Sequence, residues 1–320
     1  MATILNSKSY YYNDVNLIAQ PAAIKSRKEV PNELHRVIVS PMSAVISEKF
    51  AVEADKLGLT ICLHRFCKPF EEANILKKLK NNDRHFVCIG LDDDERIHIL
   101  QQSGASNWLI DTANGYLPQI SDVIDKLIQY GANKIMIGNI MSKEGVELYS
   151  KYGKLIPDRL YIRVGIAGGS ACSTSDTTGF NRGNITELIE CSNEANCNNI
   201  NIVADGGIKN GGYASKAFGA GADYVMMGGY FAKSSEAYTH QSGDGTYWGG
   251  ASHKQQKLYG GIKRHSEGKV KEIKEKPLPL KDLVDELWGC LSSTVSYSGY
   301  KSLSEFISNG IFEQIGRAHV

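Results

Sequence analysis

The chain has 320 residues, 42% of them hydrophobic and 22% charged, and 36 basic against 35 acidic side chains leave a formal net charge of +1. This balance gives no electrostatic basis for binding nucleic acid or an anionic membrane, and no apolar run approaches the ~20 residues needed to cross a bilayer. Seven cysteines (Cys62, Cys67, Cys88, Cys172, Cys191, Cys197 and Cys290) form no C-x-x-C pair and leave an odd number. That excludes an obvious disulfide framework or zinc site and points to a reducing, cytoplasmic compartment. The opening MATILNSKSYYYND lacks the basic start and apolar core of a signal peptide.

Residues 1–35 read as an N-terminal arm. Eight short β-branched or apolar runs then recur: 36–41 (RVIVSP), 59–64 (LTICLH), 85–90 (HFVCIG), 107–112 (NWLIDT), 134–139 (KIMIGN), 160–165 (LYIRVG), 199–207 (NINIVADGG) and 223–229 (DYVMMGG). Helical patterns separate them, such as SEKFAVEADKLG, with Ser47 as N-cap and Gly58 as C-cap, and GGYASKAFGAGA. Strands spaced by single helices predict a parallel sheet, and eight such units predict an α/β protein built as a closed (β/α)8 TIM barrel over 36–239. A doubly wound sheet is the alternative. Residues 240–282 are rich in glycine and charge, which suits either solvated surface or a mobile flap hinged at Gly260-Gly261 and Gly268. KDLVDELWGCLSSTVSYSGY reads as a helix followed by a serine- and tyrosine-rich tail, so that 283–314 complete the barrel domain. The final IGRAHV looks like a translated sequencing adapter, which makes 315–320 a non-native tail.

The unusual residues cluster at one end of the eight runs. Pro41-Met42, His64-Arg65, Asp111, Gly138-Asn139, the Gly165–Cys172 loop, Asp205-Gly206-Gly207 and Gly228-Gly229 all follow strands, where such barrels carry their active sites. Glycine pairs after the seventh and eighth runs suit a phosphate held by backbone N–H groups, although tight turns alone explain them too. In RVGIAGGSACSTSDTTGF, glycines place Cys172 in a loop open to a ligand. By itself this cysteine reads first as a packed free thiol, because reactivity requires a lowered pKa or a nearby base.

LIDTANGY, GGSACST, VADGGI, AFGAGADYVMMGGYF and RHSEGK, in this order, resemble the successive site motifs of the family shared by IMP dehydrogenases and GMP reductases, and the resemblance runs from about Asp14 to Phe306. The dehydrogenases carry a regulatory domain after the second strand, for which the short segment beyond His64-Arg65 has no room. Their flap arginine–tyrosine pair is absent, and SEGK looks like the reductase flap. The resemblance therefore implies an oxidoreductase of purine salvage that converts GMP to IMP and ammonia with NADPH. It implies Cys172 as the nucleophile toward C2 of the purine, with Thr174 and Glu267 protonating the departing amine. The nucleotide would lie on Asp205, Gly206, Gly207, Gly228 and Gly229, and its base on Gly249, Gly250, Ala251, Arg264, Ser266 and Gly268. The cofactor would lie on Ser26, Arg27, Arg65, Asp111, Thr112, Ala113, Ser293, Thr294, Val295 and Ser296, some of them across a subunit boundary of a homotetramer.

A monovalent cation such as K+ at Gly169 and Cys172 is also implied, although the family's G-x-G reads Ala167-Gly168-Gly169 here and its arginine is Ser175. Other departures are Arg65 for a lysine, Met42-Ser43-Ala44 for MDT, and GGAS where a methionine is usual, which widens the base site. Alternatives are an IMP dehydrogenase without its regulatory domain, a reductase of a modified or deoxy guanine nucleotide, and a non-catalytic purine-nucleotide sensor.

Overall fold

A computed structural model describes residues 8–169, 171–259, 266 and 268–315. After a short strand β1 (Val15–Leu17), the eight runs each contain one strand: β2 (Val37–Val39), β3 (Thr60–Ile61), β4 (Val87–Ile89), β5 (Asn107–Ile110), β6 (Lys134–Ile140), β7 (Leu160–Val164), β8 (Ile200–Asp205) and β9 (Tyr224–Met227). All neighbours are parallel, in the order β3-β2-β9-β8-β7-β6-β5-β4. A parallel bridge from Cys62 to Phe86 joins the two ends, with Leu63 N–H donating to the Phe86 carbonyl at 2.8 Å and Phe86 N–H to that of Ile61 at 2.9 Å. The ring is closed, so the fold is the (β/α)8 barrel and the doubly wound alternative falls.

Alternation along each strand divides the core in two. Ile38, Cys62, Cys88, Leu109, Met136, Tyr161, Val203 and Met226 fill the lumen together with Phe86. Their neighbours, such as Val37, Val39, Ile135, Ile137, Ile162 and Val225, face outward and join the core under the helices. The helices start and stop as their local chemistry dictates. Ser47 caps Glu48–Lys56 by accepting the Phe50 N–H at 3.0 Å, and Gly58 follows its end with φ +90°. Asn210 caps Gly211–Gly219 in the same way.

The C-terminal helix is longer than its serine-rich sequence predicts, running Leu280–Tyr297. Leu283, Leu287, Leu291 and Val295 are all buried and stand four residues apart, so one apolar stripe carries the helix through SSTVSY. Beyond the barrel, β10 (Thr246–Trp248) and β11 (Val270–Glu272) form an antiparallel ribbon at the base of the flap region. β12 (Phe312–Gln314) pairs antiparallel with β1, joining the two ends of the described chain. Gly260-Gly261 and residues 316–320 lie outside the described residues. No described helix is long and apolar enough to cross a membrane.

Candidate active site

The period of two that fills the lumen also builds the barrel mouth. Two residues beyond each lumen side chain the next inward position falls at a carboxyl end, and these positions are Ser40, His64, Gly90, Asp111, Gly138, Arg163, Asp205 and Gly228. Ser40, Asp111, Arg163, Asp205 and Gly228 line a cleft of about 1630 Å³ at this end. Gly169, Cys172, Thr174, Gly206, Gly207, Gly229, Gly249, Gly250, Ala251 and Gly268 line it too, as do Arg65, Thr112 and Ala113.

Cys172 is half-buried at the cleft wall, with its Sγ 3.0 Å from Thr174 Oγ1 and 3.4 Å from the Thr174 N–H. The other cleft cysteine, Cys67, is held as a neutral thiol, because burial pushes it up to about 12. Burial raises Cys62, Cys88 and Cys191 still further from the reactive range. The flap segment closes over the nucleophile loop through its backbone. Lys269 N–H donates to the Ala171 carbonyl at 2.8 Å, Gly268 bridges both Cys172 and Ser252, and the Ser266 hydroxyl donates to the Ala251 carbonyl at 3.0 Å. Close approach requires a glycine at position 268, where a Cβ would stand 2.6 Å from Ser252 N. Outside this contact, Lys269 pairs with Asp176 at 2.6 Å.

The floor of the cleft is a chain of alternating charges. The buried Arg163 guanidinium meets Asp111 Oδ1 at 3.0 Å and Asp205 Oδ2 at 3.7 Å. Asp111 also faces Arg65 at 3.5 Å, and Asn139 Nδ2 donates to Asp205 Oδ2 at 2.9 Å. Burial raises the Asp205 carboxyl above the ordinary aspartate range, against the pull of Arg163 and Asn139. Beside Asp205, Gly206 (φ +96°) and Gly207 (φ +76°) turn the backbone through the left-handed region, and a Cβ on Gly206 would stand 2.8 Å from Gly168 C. No side chain therefore fills the space between these two loops.

Arg65 stacks on the Phe66 ring, and its buried Nε makes no hydrogen bond, facing Asp111 only as an ion pair. Its Nη2 donates to the Asp111 carbonyl at 3.4 Å, and a cation at this rim beside Thr112 and Ala113 fits the anionic groups of a dinucleotide. Its loop is anchored from behind, because Arg96 donates to the Cys67 carbonyl and pairs with the buried Glu72 at 2.5 Å.

The remaining candidates lie elsewhere. Arg264 and Glu267 fall outside the described residues. Ser26, Arg27 and Ser293–Ser296 do not line the cleft. Arg27 donates to Ser293 Oγ at 2.9 Å, Thr294 Oγ1 meets Ser215 Oγ at 2.7 Å, and Val295 is fully buried. The Gly169 carbonyl accepts the Cys172 N–H at 3.0 Å, turning that oxygen back on its own loop. Among the described residues no group of three His, Cys, Asp or Glu side chains is placed to hold a metal ion.

Arg163, not singled out from sequence, is the structural centre of the floor. Its signal was present: a charged residue inside the apolar run LYIRVG, two positions beyond a lumen residue.

Residues 10–320 match the profile of the IMP dehydrogenase / GMP reductase domain. Among curated proteins, the chain is 29% identical to a GMP reductase of Lactobacillus gasseri over 95% of its own length and 94% of the relative's. It is 28% identical to GMP reductase 1 of Mus musculus, over 96% and 95%, and 29% identical to a GMP reductase of Phytophthora infestans, over 88% and 80%. With the barrel closed, the cysteine loop at its mouth and this match over nearly the whole chain, the protein belongs to the IMP dehydrogenase / GMP reductase family.

Proposed function

We propose that the protein is a GMP reductase, using NADPH to convert GMP to IMP and ammonia through a covalent bond between Cys172 and C2 of the purine. The observation that carries this reading is Cys172, the half-buried cleft thiol 3.0 Å from Thr174 Oγ1, beneath a flap segment paired to its own loop. The names of the curated relatives point to the same reaction.

In this reading Cys172 attacks C2 as the thiolate, and the C2–N bond to the exocyclic amine breaks. Ammonia leaves only once it is protonated, and Thr174 relays that proton, with Glu267 of the flap as its source. The covalent bond divides one difficult displacement into two easier ones. NADPH, when bound, supplies the hydride that takes the amine's place at C2. Collapse of the resulting adduct returns the Cys172 thiolate and IMP. Arg65, Asp111, Thr112 and Ala113 would hold the cofactor, and a neighbouring subunit of a homotetramer would add Ser26, Arg27 and Ser293–Ser296. Asp205 would hold the ribose hydroxyls, and the backbone N–H groups of Gly206, Gly207, Gly228 and Gly229 the phosphate. No step is assigned to K+. A cytoplasmic location belongs to this proposal as well.

The test follows absorbance of the reduced cofactor. Loss of NADPH with ammonia release from GMP supports the reductase. NADH formation from IMP and NAD would replace it with the dehydrogenase. Nucleotide binding with neither reaction would leave a sensor.

A further inference from the structure

The strip Gly249-Gly250-Ala251 carries no side chain larger than a methyl group, yet the cleft is not empty beside it. A Cβ on Gly250 would stand 3.1 Å from Phe66 Cζ and 3.2 Å from its Cε2, tighter than ordinary contact. The ring of Phe66, from the loop after β3, therefore reaches the strip from a different element of the cleft wall. Gly250 makes no left-handed turn, so the ring is what restricts the room at this position.

Phe66 is held firmly and still faces the cleft. Arg65 Cζ lies 5.3 Å from its ring centroid, and the buried His64 ring lies 6.3 Å away. Cys67 Sγ donates to the His64 carbonyl at 3.4 Å, and Arg96 donates to the Cys67 carbonyl at 2.6 Å, so the backbone is tied down on both sides. The ring nevertheless stays half-buried and lines the cleft together with Cys172. An aromatic ring at such a position suits the wall of a ligand site. Its place relative to the chemistry follows from the neighbouring glycine. A Cβ on Gly249 would stand 2.8 Å from the carbonyl oxygen of Ala171, the residue before Cys172. Successive residues of the strip thus meet the nucleophile loop and the ring, with about 3.8 Å between their Cα atoms. A flat heterocycle bonded to Cys172 and lying along this strip comes against Phe66.

We infer that Phe66 is a specificity-determining residue, whose ring packs on the purine of the bound nucleotide. It forms the wall of the base site that position 250, without a side chain, does not supply. The assignment rests on the purine-nucleotide reading above and adds to it the side chain that meets the base. It also couples the two positions, since a large residue at 250 fits well only where residue 66 is small.

Equilibrium binding of GMP and of ribose 5-phosphate, which lacks the base, to the full chain tests it. Phe66→Ala should weaken GMP about tenfold, the scale of one aromatic contact, and change ribose 5-phosphate less than about twofold. Gly250→Met alone should weaken GMP as well, because its side chain meets the ring. When Phe66→Ala and Gly250→Met are combined, the new side chain enters the vacated space. GMP affinity should then return to within about threefold of wild type. Melting curves report whether each variant is folded, and Phe66→Leu, which stays apolar and bulky, should lie between wild type and Phe66→Ala. Undiminished GMP binding by Phe66→Ala overturns the inference, and so does a double variant weaker than both single ones. Equal losses for GMP and ribose 5-phosphate overturn it too, because a ring that only props the loop acts on both. A loss confined to NADPH assigns the ring to the cofactor instead. Failure of the wild type to bind GMP removes the nucleotide reading itself, an outcome distinct from all of these.

Discussion

Replacing Arg163 by methionine keeps the length of the side chain and removes the charge at the centre of the cleft floor. Asp111 retains Arg65 at 3.5 Å, whereas Asp205 keeps only the Asn139 amide at 2.9 Å. The loss therefore falls on Asp205. Removing one partner of a buried pair costs about 3–5 kcal/mol, and the compensation at Asp111 favours the lower end, about 3 kcal/mol. At about 2 °C per kcal/mol for a chain of this size, the melting temperature should fall by about 6 °C at neutral pH. The pH dependence carries the sharper test. Burial already raises the Asp205 carboxyl, and losing Arg163 raises it further. A carboxyl raised in the folded state binds more protons there than in the unfolded chain, so its stability contribution falls as pH rises through the folded value. The deficit of Arg163→Met should be larger at pH 8 than at pH 5, measured by calorimetric melts of both proteins. Arg163→Lys, which restores charge without the planar fork, should lie between them. A deficit equal at both pH values would refute the claim that Arg163 acts by keeping Asp205 ionised.

Cys172→Ala should abolish turnover while still binding GMP, because the proposed phosphate contacts lie on other loops; activity above a few per cent would remove the covalent step. Glu267→Gln should slow ammonia release about 10²–10⁴-fold with little change in nucleotide affinity, and an unchanged single-turnover rate would make the flap glutamate surface charge. Arg65→Lys keeps the cation and loses the stack on Phe66, so NADPH should bind more weakly at an unchanged chemical rate; a faster rate of NADPH oxidation would assign proton movement to this position. Asp55 is pushed up by burial, but hydrogen bonds from Asn81, Lys80 N–H and His85 outweigh that and hold it at about 2. Its folded value lies below the ordinary one, so it contributes about 2 kcal/mol above pH 4 that is lost as pH falls toward 2. The stability gap between wild type and Asp55→Ala should narrow over that window.

What was legible in the sequence is what repeats locally. Alternation of two in runs such as NWLIDT and KIMIGN decides which residues enter the lumen, and the same alternation carries Asp111 and Asp205 to the mouth. Gly206 declares itself because a tight turn through the left-handed region excludes side chains, and Ser47 because a helix start needs an acceptor. Tertiary structure alone decided which charges meet. Asp111 follows β5, Arg163 lies in β7 and Asp205 ends β8, and only the parallel pairing of these strands side by side brings two carboxylates to one guanidinium. Likewise the Trp248 indole and the Gln255 amide meet the Ser43 hydroxyl only once the flap region has folded against the end of β2. The pairing of β1 with β12 has the same origin, since hydrogen bonds between strands from opposite ends of a chain leave no local pattern. Periodicity follows from the geometry of a single strand or helix, which each segment carries by itself, whereas contacts between segments depend on where the whole chain has placed them.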